Sequence, residues 1–76
     1  MVVDARGHRC PVPTLRLRRA LEKAAAGQIV RLLADDPLAR IDVPHFVRAE
    51  GFVLLSSGAD GPVLVFEVMR ASLGEA

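Results

Sequence analysis

Hydrophobic and polar residues recur along this chain in a pattern that predicts six elements of secondary structure. Over residues 11–26 the apolar positions have the three- and four-residue spacing of one helical face, namely Leu17, Ala20, Leu21 and Ala24. Gly27 follows, where the end of a helix favours a left-handed residue. Short apolar runs between turn-forming residues predict strands at 2–4, 29–34, 52–57 and 63–70. Residues 71–76 are predicted to fray.

A second helix is predicted between the second and third strands, ending near residue 49. Asp36 can cap this helix, and Pro37 suits its first position. Pro44 complicates the assignment, because a proline inside a helix removes a hydrogen bond and clashes with the preceding turn. Either the helix kinks at Pro44, or Asp42 is the true cap and the regular helix begins near Val43.

The order of these elements predicts an α/β (α+β) two-layer sandwich. The crossover helix makes the first two strands parallel, with a right-handed connection, and the apolar run at 29–34 predicts an internal strand. The turn-rich residues 58–62 join the last two strands into an antiparallel hairpin. The expected result is a mixed four-stranded sheet with both helices on one face. The uncovered face either binds a partner, including a second copy of the chain as a weak homodimer, or stays small and apolar.

Length and cysteine count exclude several classes of protein. The 76 residues are expected to form one domain, 1–76, without an internal disulfide, because there is one cysteine. Cys10, His8 and His45 are too few and too scattered for a closed zinc site, so neither a metal nor a cofactor is expected. No signal-peptide pattern and no run long enough to span a bilayer are recognised, and a free thiol fits a reducing compartment. The expected location is the cytoplasm.

Charge is distributed unevenly along the chain. Residues 1–31 hold seven Lys or Arg and two Asp or Glu, a net charge of +5, whereas residues 32–76 hold three and seven, a net charge of −4. One face of the first helix is basic, and its members are Leu15, Arg16, Arg18, Arg19 and Lys23. This basic face is either a docking surface for an acidic partner or an ordinary solvated surface, and the apolar Leu15 favours docking.

The segment Arg9-Cys10-Pro11-Val12-Pro13 carries the candidate chemistry. Pro11 biases Cys10 toward an extended conformation, which makes Cys10 the expected N-cap with Pro11 at the first helical position. The sulfur is then expected at the positive end of the helix dipole, with the Val12 amide pointing at it. Pro13 stiffens the same turn. Asp4 is expected to organise the loop before the motif.

Cationic neighbours in the sequence predict a reactive thiolate at Cys10. Arg6, His8 and Arg9 precede the cysteine, and cations and helix N-termini lower cysteine pKa values. His8 has either a modest electrostatic role or none, and His45 is expected to be a surface or packing residue. No catalytic partner set, second cysteine or phosphate-binding loop accompanies Cys10. A covalent carrier fits these constraints, because it needs one reactive atom and a docking surface.

The stretch from Asp4 to Pro13, centred on Cys-Pro-x-Pro, resembles the signature of the TusA/SirA sulfur-carrier family. The residues Ala34-Asp35-Asp36-Pro37 and Asp42-Val43-Pro44-His45-Phe46 resemble its second block. The resemblance covers nearly the whole chain. It implies a two-layer sandwich and a persulfide on Cys10, which would make the protein a sulfurtransferase-type carrier rather than an enzyme with independent turnover.

The resemblance also implies partners. The donor would be a cysteine desulfurase or a rhodanese-type sulfurtransferase, and a downstream acceptor protein would serve tRNA thiolation, molybdenum cofactor assembly or sulfur oxidation. Some tRNA-pathway members have an acidic residue at the position of Val12, so the sequence does not assign the pathway. Two other functions fit the residues: a non-catalytic regulatory or RNA- or protein-binding module using the basic face, and a one-cysteine redox sensor. Direct nucleic-acid binding is not expected, because the chain has three aromatic residues and no stacking platform.

Overall fold

The computed structural model describes residues 1–70 and contains four strands and two helices in the predicted order. The elements are β1 (Val2–Asp4), α1 (Val12–Lys23), β2 (Ile29–Ala34), α2 (Ala39–Ala49), β3 (Val53–Asp60) and β4 (Val63–Met69). The predicted fraying of residues 71–76 lies outside the described residues. Neither helix in residues 1–70 has the length and apolar content needed to cross a membrane.

The four strands form one mixed sheet with the order β1-β2-β4-β3. β1 pairs with β2 in parallel, with Val3 opposite Leu32, and β2 pairs with β4 in antiparallel orientation, with Leu32 opposite Phe66. The parallel pair, the internal position of β2 and the antiparallel β3–β4 hairpin are therefore confirmed. β3 extends three residues beyond the predicted end, to Asp60, because the turn itself needs only Gly61, at a φ of +60°, and Pro62.

Both helices cover one face of the sheet, as predicted. Every second residue of β2 and β4 is buried, and these side chains meet the apolar stripes of α1 and α2. Ala20 is only partly buried but packs against the same cluster. Full burial of one leucine or valine stabilises such a core by about 1.5–3 kcal/mol. The core residues are Ala5, Leu17, Leu21, Ala24, Val30, Leu32, Ala34, Ala39, Val43, Val47, Leu64, Phe66 and Val68.

The opposite face of the sheet is covered by no helix within residues 1–70. A polar row crosses it, in which Glu67 pairs with Arg31 at 3.7 Å and accepts a hydrogen bond from the Ser56 hydroxyl at 2.9 Å. Ile29 and Val53 are exposed at one end of this face. A partner or second copy of the chain on this face stays a prediction.

α1 is shorter than predicted at both ends. It begins at Val12 and ends at Lys23, because Ala24 adopts an extended conformation. Side chains provide the hydrogen bonds that a further helical turn would have made. The Arg70 guanidinium donates to the Ala24 carbonyl at 2.6 Å, and the Ala25 amide donates to the Gln28 side chain at 3.1 Å. Gly27 does have the predicted left-handed conformation, at a φ of +85°, but in the turn that follows the helix.

α2 runs continuously through Pro44, from Ala39 to Ala49, so the alternative start at Val43 is wrong. The first turn is preceded by a tight turn in which the Ala39 amide donates to the Asp36 carbonyl at 2.9 Å. At the C-terminus of α2, the Phe52 amide donates to the Val47 carbonyl and the Gly51 amide donates to the Arg48 carbonyl. These are the paired hydrogen bonds that a left-handed glycine allows.

Candidate functional site

Cys10 lies in the loop between β1 and α1, at the end of the molecule where both helices begin. Its side chain is half-buried and packs against the core, and it is the free cysteine of the described residues. It opens into a depression of about 440 Å³. The depression is lined by Gly7, His8, Arg9, Cys10, Asp35, Asp36, Pro37 and Leu38.

Two consecutive aspartates after β2 hold this loop by its backbone. The Asp35 carboxylate accepts the Gly7 amide hydrogen through both oxygens, at 2.9 and 3.1 Å. Asp36 accepts the Cys10 amide hydrogen through Oδ2 at 2.8 Å and the Leu38 amide hydrogen through Oδ1 at 3.0 Å. The Cys10 loop is therefore fixed to the start of α2 by contacts 26 to 28 residues apart in the chain.

The start of α1 differs from its predicted arrangement by one residue. Pro11, not Cys10, is the N-cap, so Val12 and Pro13 take the first two helical positions. The Val12 amide donates to the Arg9 carbonyl at 2.9 Å and not to the sulfur, so its predicted orientation is wrong. Pro11 instead supplies a carbonyl to the Thr14 hydroxyl at 2.9 Å and the Leu15 amide at 3.0 Å. The Cys10–Pro11 peptide bond is cis.

The electrostatic environment of the thiol is the reverse of the one predicted. Burial raises the pKa of Cys10 from 9.0 to about 11, and the carboxylates of Asp42 and Asp36 add to the rise. Both carboxylates favour the neutral thiol and repel the thiolate. The predicted lowering of the Cys10 pKa is therefore wrong, because burial of the thiol and aspartates distant in sequence outweigh the basic residues next to Cys10 in the chain.

The predicted cationic neighbours of Cys10 separate into two groups. The Arg6 guanidinium donates to both oxygens of the Asp4 carboxylate, at 2.7 and 2.9 Å, and the Arg6 amide donates to the same carboxylate. These contacts confirm that Asp4 organises the loop. The side-chain hydrogen bond to Arg6 is the main cause that lowers the pKa of Asp4 to about 2. His8 and Arg9 do line the depression beside Cys10.

The basic face of α1 is exposed on the flank next to the Cys10 loop. Val12, Leu15, Arg16 and Arg19 line a shallow groove there, and 55% of Leu15 is exposed. Two members of the basic face have internal partners: Arg16 donates to the Asp4 carbonyl at 3.3 Å, and Arg18 pairs with Glu50 at 3.1 Å. Within residues 1–70, Arg19 and Lys23 form no ion pair.

Asp36 and Asp42 are the site residues that the sequence did not identify. Asp36 was predicted to be the N-cap of α2, yet the N-cap is Leu38, and the Asp36 carboxylate accepts the Cys10 amide as well as the Leu38 amide. The doublet Asp35-Asp36, directly after a buried strand, was the available signal. Asp42 faces the thiol from the first turn of α2, while His45 is exposed as predicted.

A family model described as "Sulfurtransferase TusA" matches residues 1–70 of this chain. The chain belongs to the TusA family. The sulfur carrier protein TusA of Pseudomonas putida (strain GB-1) is 32% identical over 69 residues, covering 91% of this chain and 86% of that protein. A relative from Archaeoglobus fulgidus that also carries the sulfur-carrier name is 45% identical over 49 residues, so this chain spans 64% of that protein's length.

The fold of this TusA-family chain is also found in a solved structure. A SirA-like protein from Desulfitobacterium hafniense has a TM-score of 0.79 and 26% sequence identity, covering 93% of this chain and 97% of the other. The predicted resemblance to TusA and SirA proteins is confirmed. Family and relatives together support a sulfur-carrier role that involves sulfur donor and acceptor proteins.

Proposed function

We propose that this protein carries one sulfur atom at a time as a persulfide on Cys10. The observation that carries the proposal is the placement of the free thiol in a depression at the surface, with its loop fixed by Asp35 and Asp36. A fixed and accessible sulfur next to an open flank suits transfer between proteins. No enclosed substrate cavity is required, because both reacting sulfur atoms are supplied by the two proteins themselves.

Loading exchanges one sulfur–sulfur bond for another. Cys10, as the thiolate, attacks the outer sulfur of a persulfide on the donor. The donor's sulfur–sulfur bond breaks, a bond to Cys10 forms, and the donor cysteine leaves with the electron pair and takes up the proton that Cys10 lost. There is no net oxidation or reduction. Release reverses the roles, with an acceptor nucleophile attacking the outer sulfur and Cys10 leaving as thiolate.

The donor is a cysteine desulfurase or a rhodanese-type sulfurtransferase, in the reducing environment of the cytoplasm. Both classes present sulfur as a cysteine persulfide. The acceptor protein belongs to tRNA thiolation, molybdenum cofactor assembly or sulfur oxidation. Val12, between the two prolines of the motif, is half-buried and lines the α1 groove, so it lies where an acceptor contacts the motif.

Donor and acceptor dock on the α1 flank in this proposal. The exposed Leu15 provides an apolar contact, and Arg19 and Lys23 provide positive charge that steers an acidic surface toward Cys10. Arg9 extends the positive charge to the rim of the depression, which His8 also lines. Docking there brings a partner's reactive sulfur to the open side of Cys10.

The redox-sensor alternative is disfavoured by the surroundings of the thiol. Sensor cysteines combine exposure with a low pKa, since oxidation proceeds through the thiolate. Burial, followed by Asp42 and Asp36, raises the pKa of Cys10 instead. A protonated resting thiol suits a carrier, because it reacts only when a partner is docked.

Intact-protein mass spectrometry tests the proposal. The protein is incubated with a cysteine desulfurase plus cysteine, and separately with a rhodanese plus thiosulfate. We expect a species heavier by one sulfur atom, reversed by a thiol reductant and absent in Cys10→Ser. Absence of the adduct with both donors, while iodoacetamide at high pH still labels Cys10, would contradict the proposal. Binding by the basic face alone would then be the remaining function to test.

A further inference from the structure

Asp36 connects the reactive cysteine to the second helix through a single carboxylate. One oxygen accepts the Cys10 amide at 2.8 Å and the other accepts the Leu38 amide at 3.0 Å. These two hydrogen bonds, and secondarily Arg9, hold the pKa of Asp36 below its usual range, so the carboxylate is charged at neutral pH. Asp36 therefore both holds the Cys10 backbone in place and adds its negative charge to that of Asp42 near the thiol.

The neighbouring Asp35 differs from Asp36 in one informative respect. It holds the same loop with comparable hydrogen bonds, at 2.9 and 3.1 Å, but at Gly7, three residues before the cysteine. The charges that act on the thiol are Asp42 from α2 and Asp36 from the loop before it, whereas Arg9 and His8 line the depression beside Cys10. Asp35 thus fastens the loop without acting on the thiol, and Asp36 does both.

We propose that Asp36 is a positioning residue that fixes Cys10 between the two helices and slows the departure of a sulfur atom bound to it. This inference rests on the proposed carrier function. Release needs Cys10 to leave as a thiolate, and the negative charge then forms beside the Asp36 carboxylate. A thiol that is harder to ionise is a poorer leaving group. The carrier accordingly retains its sulfur against small nucleophiles until a partner compensates the carboxylate charge.

The test measures release of sulfur from the loaded protein by two small nucleophiles. Cyanide attacks the outer sulfur and yields thiocyanate and the Cys10 thiolate. An uncharged phosphine, tris(hydroxypropyl)phosphine, attacks the same atom and yields a phosphine sulfide, so the phosphine is oxidised and the sulfane sulfur reduced. Using both separates the leaving-group effect from simple repulsion of the cyanide anion by Asp36.

Four variants divide the two roles of the carboxylate. Asp36→Asn keeps an oxygen for the Cys10 amide but removes the charge, and Asp36→Glu keeps the charge. Asp35→Asn is the matched control for loosening of the loop. Asp42→Asn removes a charge near the thiol from a side chain that accepts no backbone hydrogen bond from the loop among residues 1–70, so it remains informative if Asp36→Asn folds poorly.

We expect Asp36→Asn and Asp42→Asn to release sulfur to both nucleophiles at least about twofold faster than wild type. Asp36→Glu, which keeps the charge, and Asp35→Asn, which changes the loop contact at Gly7 alone, should accelerate release less than Asp36→Asn. The pH midpoint for iodoacetamide labelling of unloaded Cys10 should also fall in the two charge-removing variants, and it should fall further than in Asp35→Asn, in which only loosening of the loop can act.

Equally accelerated sulfur release in Asp35→Asn and Asp36→Asn would overturn the assignment, and so would acceleration with cyanide alone or unchanged release in a folded Asp36→Asn. If Asp36→Asn does not fold, unchanged release in Asp42→Asn would overturn it. A wild-type protein that never loads would instead contradict the carrier function itself, so the two failures are distinguishable.

Discussion

The Cys10 loop and the basic face of α1 are adjacent in the sequence and both look positively charged in it, yet they differ in the folded chain. The basic face keeps its character, with Arg19 and Lys23 exposed on the α1 flank. The Cys10 loop is instead set against Asp36 and Asp42, which come from the acidic second half of the chain.

This difference separates attracting a partner from reacting with it. Positive charge on α1 acts over a distance and brings an acidic surface toward the site, whereas burial and negative charge at the sulfur act locally and keep the thiol protonated. A carrier with a freely ionised thiol would react with any electrophile it met. The arrangement restricts reaction to a docked partner, and the following predictions test each half of this contrast.

The largest expected effect concerns the ionisation of Cys10. Because burial, Asp42 and Asp36 raise its pKa from 9.0 to about 11, the thiolate fraction at pH 8 is lower in the folded than in the unfolded chain. We expect iodoacetamide to label the folded protein about a hundredfold more slowly at that pH. Labelling should rise with pH up to the folded midpoint. A midpoint at or below that of the chain in guanidinium would contradict the acidic environment.

Charge reversal on the basic face should have the next largest effect. Changing Arg19 and Lys23 to Glu is expected to slow loading by the donor enzyme about tenfold at low salt, with a smaller difference at high salt because exposed charges are screened. Stopped-time mass spectrometry measures the loading rate. Arg48→Glu, on the exposed surface of α2, is the control. Iodoacetamide labelling should not change, and a parallel change in labelling would argue against a docking role.

A smaller effect is expected from the apolar contact on the same flank. Leu15→Ala should slow donor-dependent loading severalfold, since an exposed leucine contributes to binding only when a partner covers it. Leu55→Ala on β3 is the matched control, because 45% of Leu55 is exposed against 55% of Leu15. Equal rates for the two variants would place the docking contact elsewhere.

The smallest expected effect is on stability in acid. The amide hydrogen bonds of Cys10 and Leu38, followed by Arg9, lower the pKa of Asp36 from its usual 3.8. Its stabilising contribution is therefore fully present above pH 3.8 and is lost as the pH falls through the lower folded value. Thermal unfolding between pH 2 and 6 should show a shallower acid decline for Asp36→Asn than for wild type. Identical slopes would show that the carboxylate is not held by the loop.

Most of the fold was predictable from local patterns. The core stripe of α1, the boundaries of β1 and β2 and the final hairpin all follow from residue spacing and turn composition, since these depend on neighbours in the chain. The position of β4 between β2 and β3 was not predicted, because it depends on which strands meet in space. The early end of α1 was also missed, since Arg70 stabilises it from the opposite end of the chain.

The candidate site was predictable in identity but not in electrostatics. Cys10 and the surrounding motif stand out in the sequence, and the depression beside Cys10 contains His8 and Arg9 as expected. The sign of the field at the sulfur was predicted wrongly, because Asp36 and Asp42 reach it only after the sheet brings the end of β2 beside the end of β1. The charges of neighbouring residues in the sequence do not predict the electrostatic environment of a side chain whose loop packs against a distant segment.

The most direct test of the carrier function is one round trip of a labelled sulfur atom. The protein is loaded from ³⁵S-cysteine by a cysteine desulfurase, separated from the donor, and mixed with a sulfur-acceptor protein. We predict that label is bound at up to one atom per chain, absent in Cys10→Ser, and transferred to the acceptor while the carrier returns to its original mass. Label that never binds Cys10, or that binds and cannot be passed to any acceptor, would contradict the account.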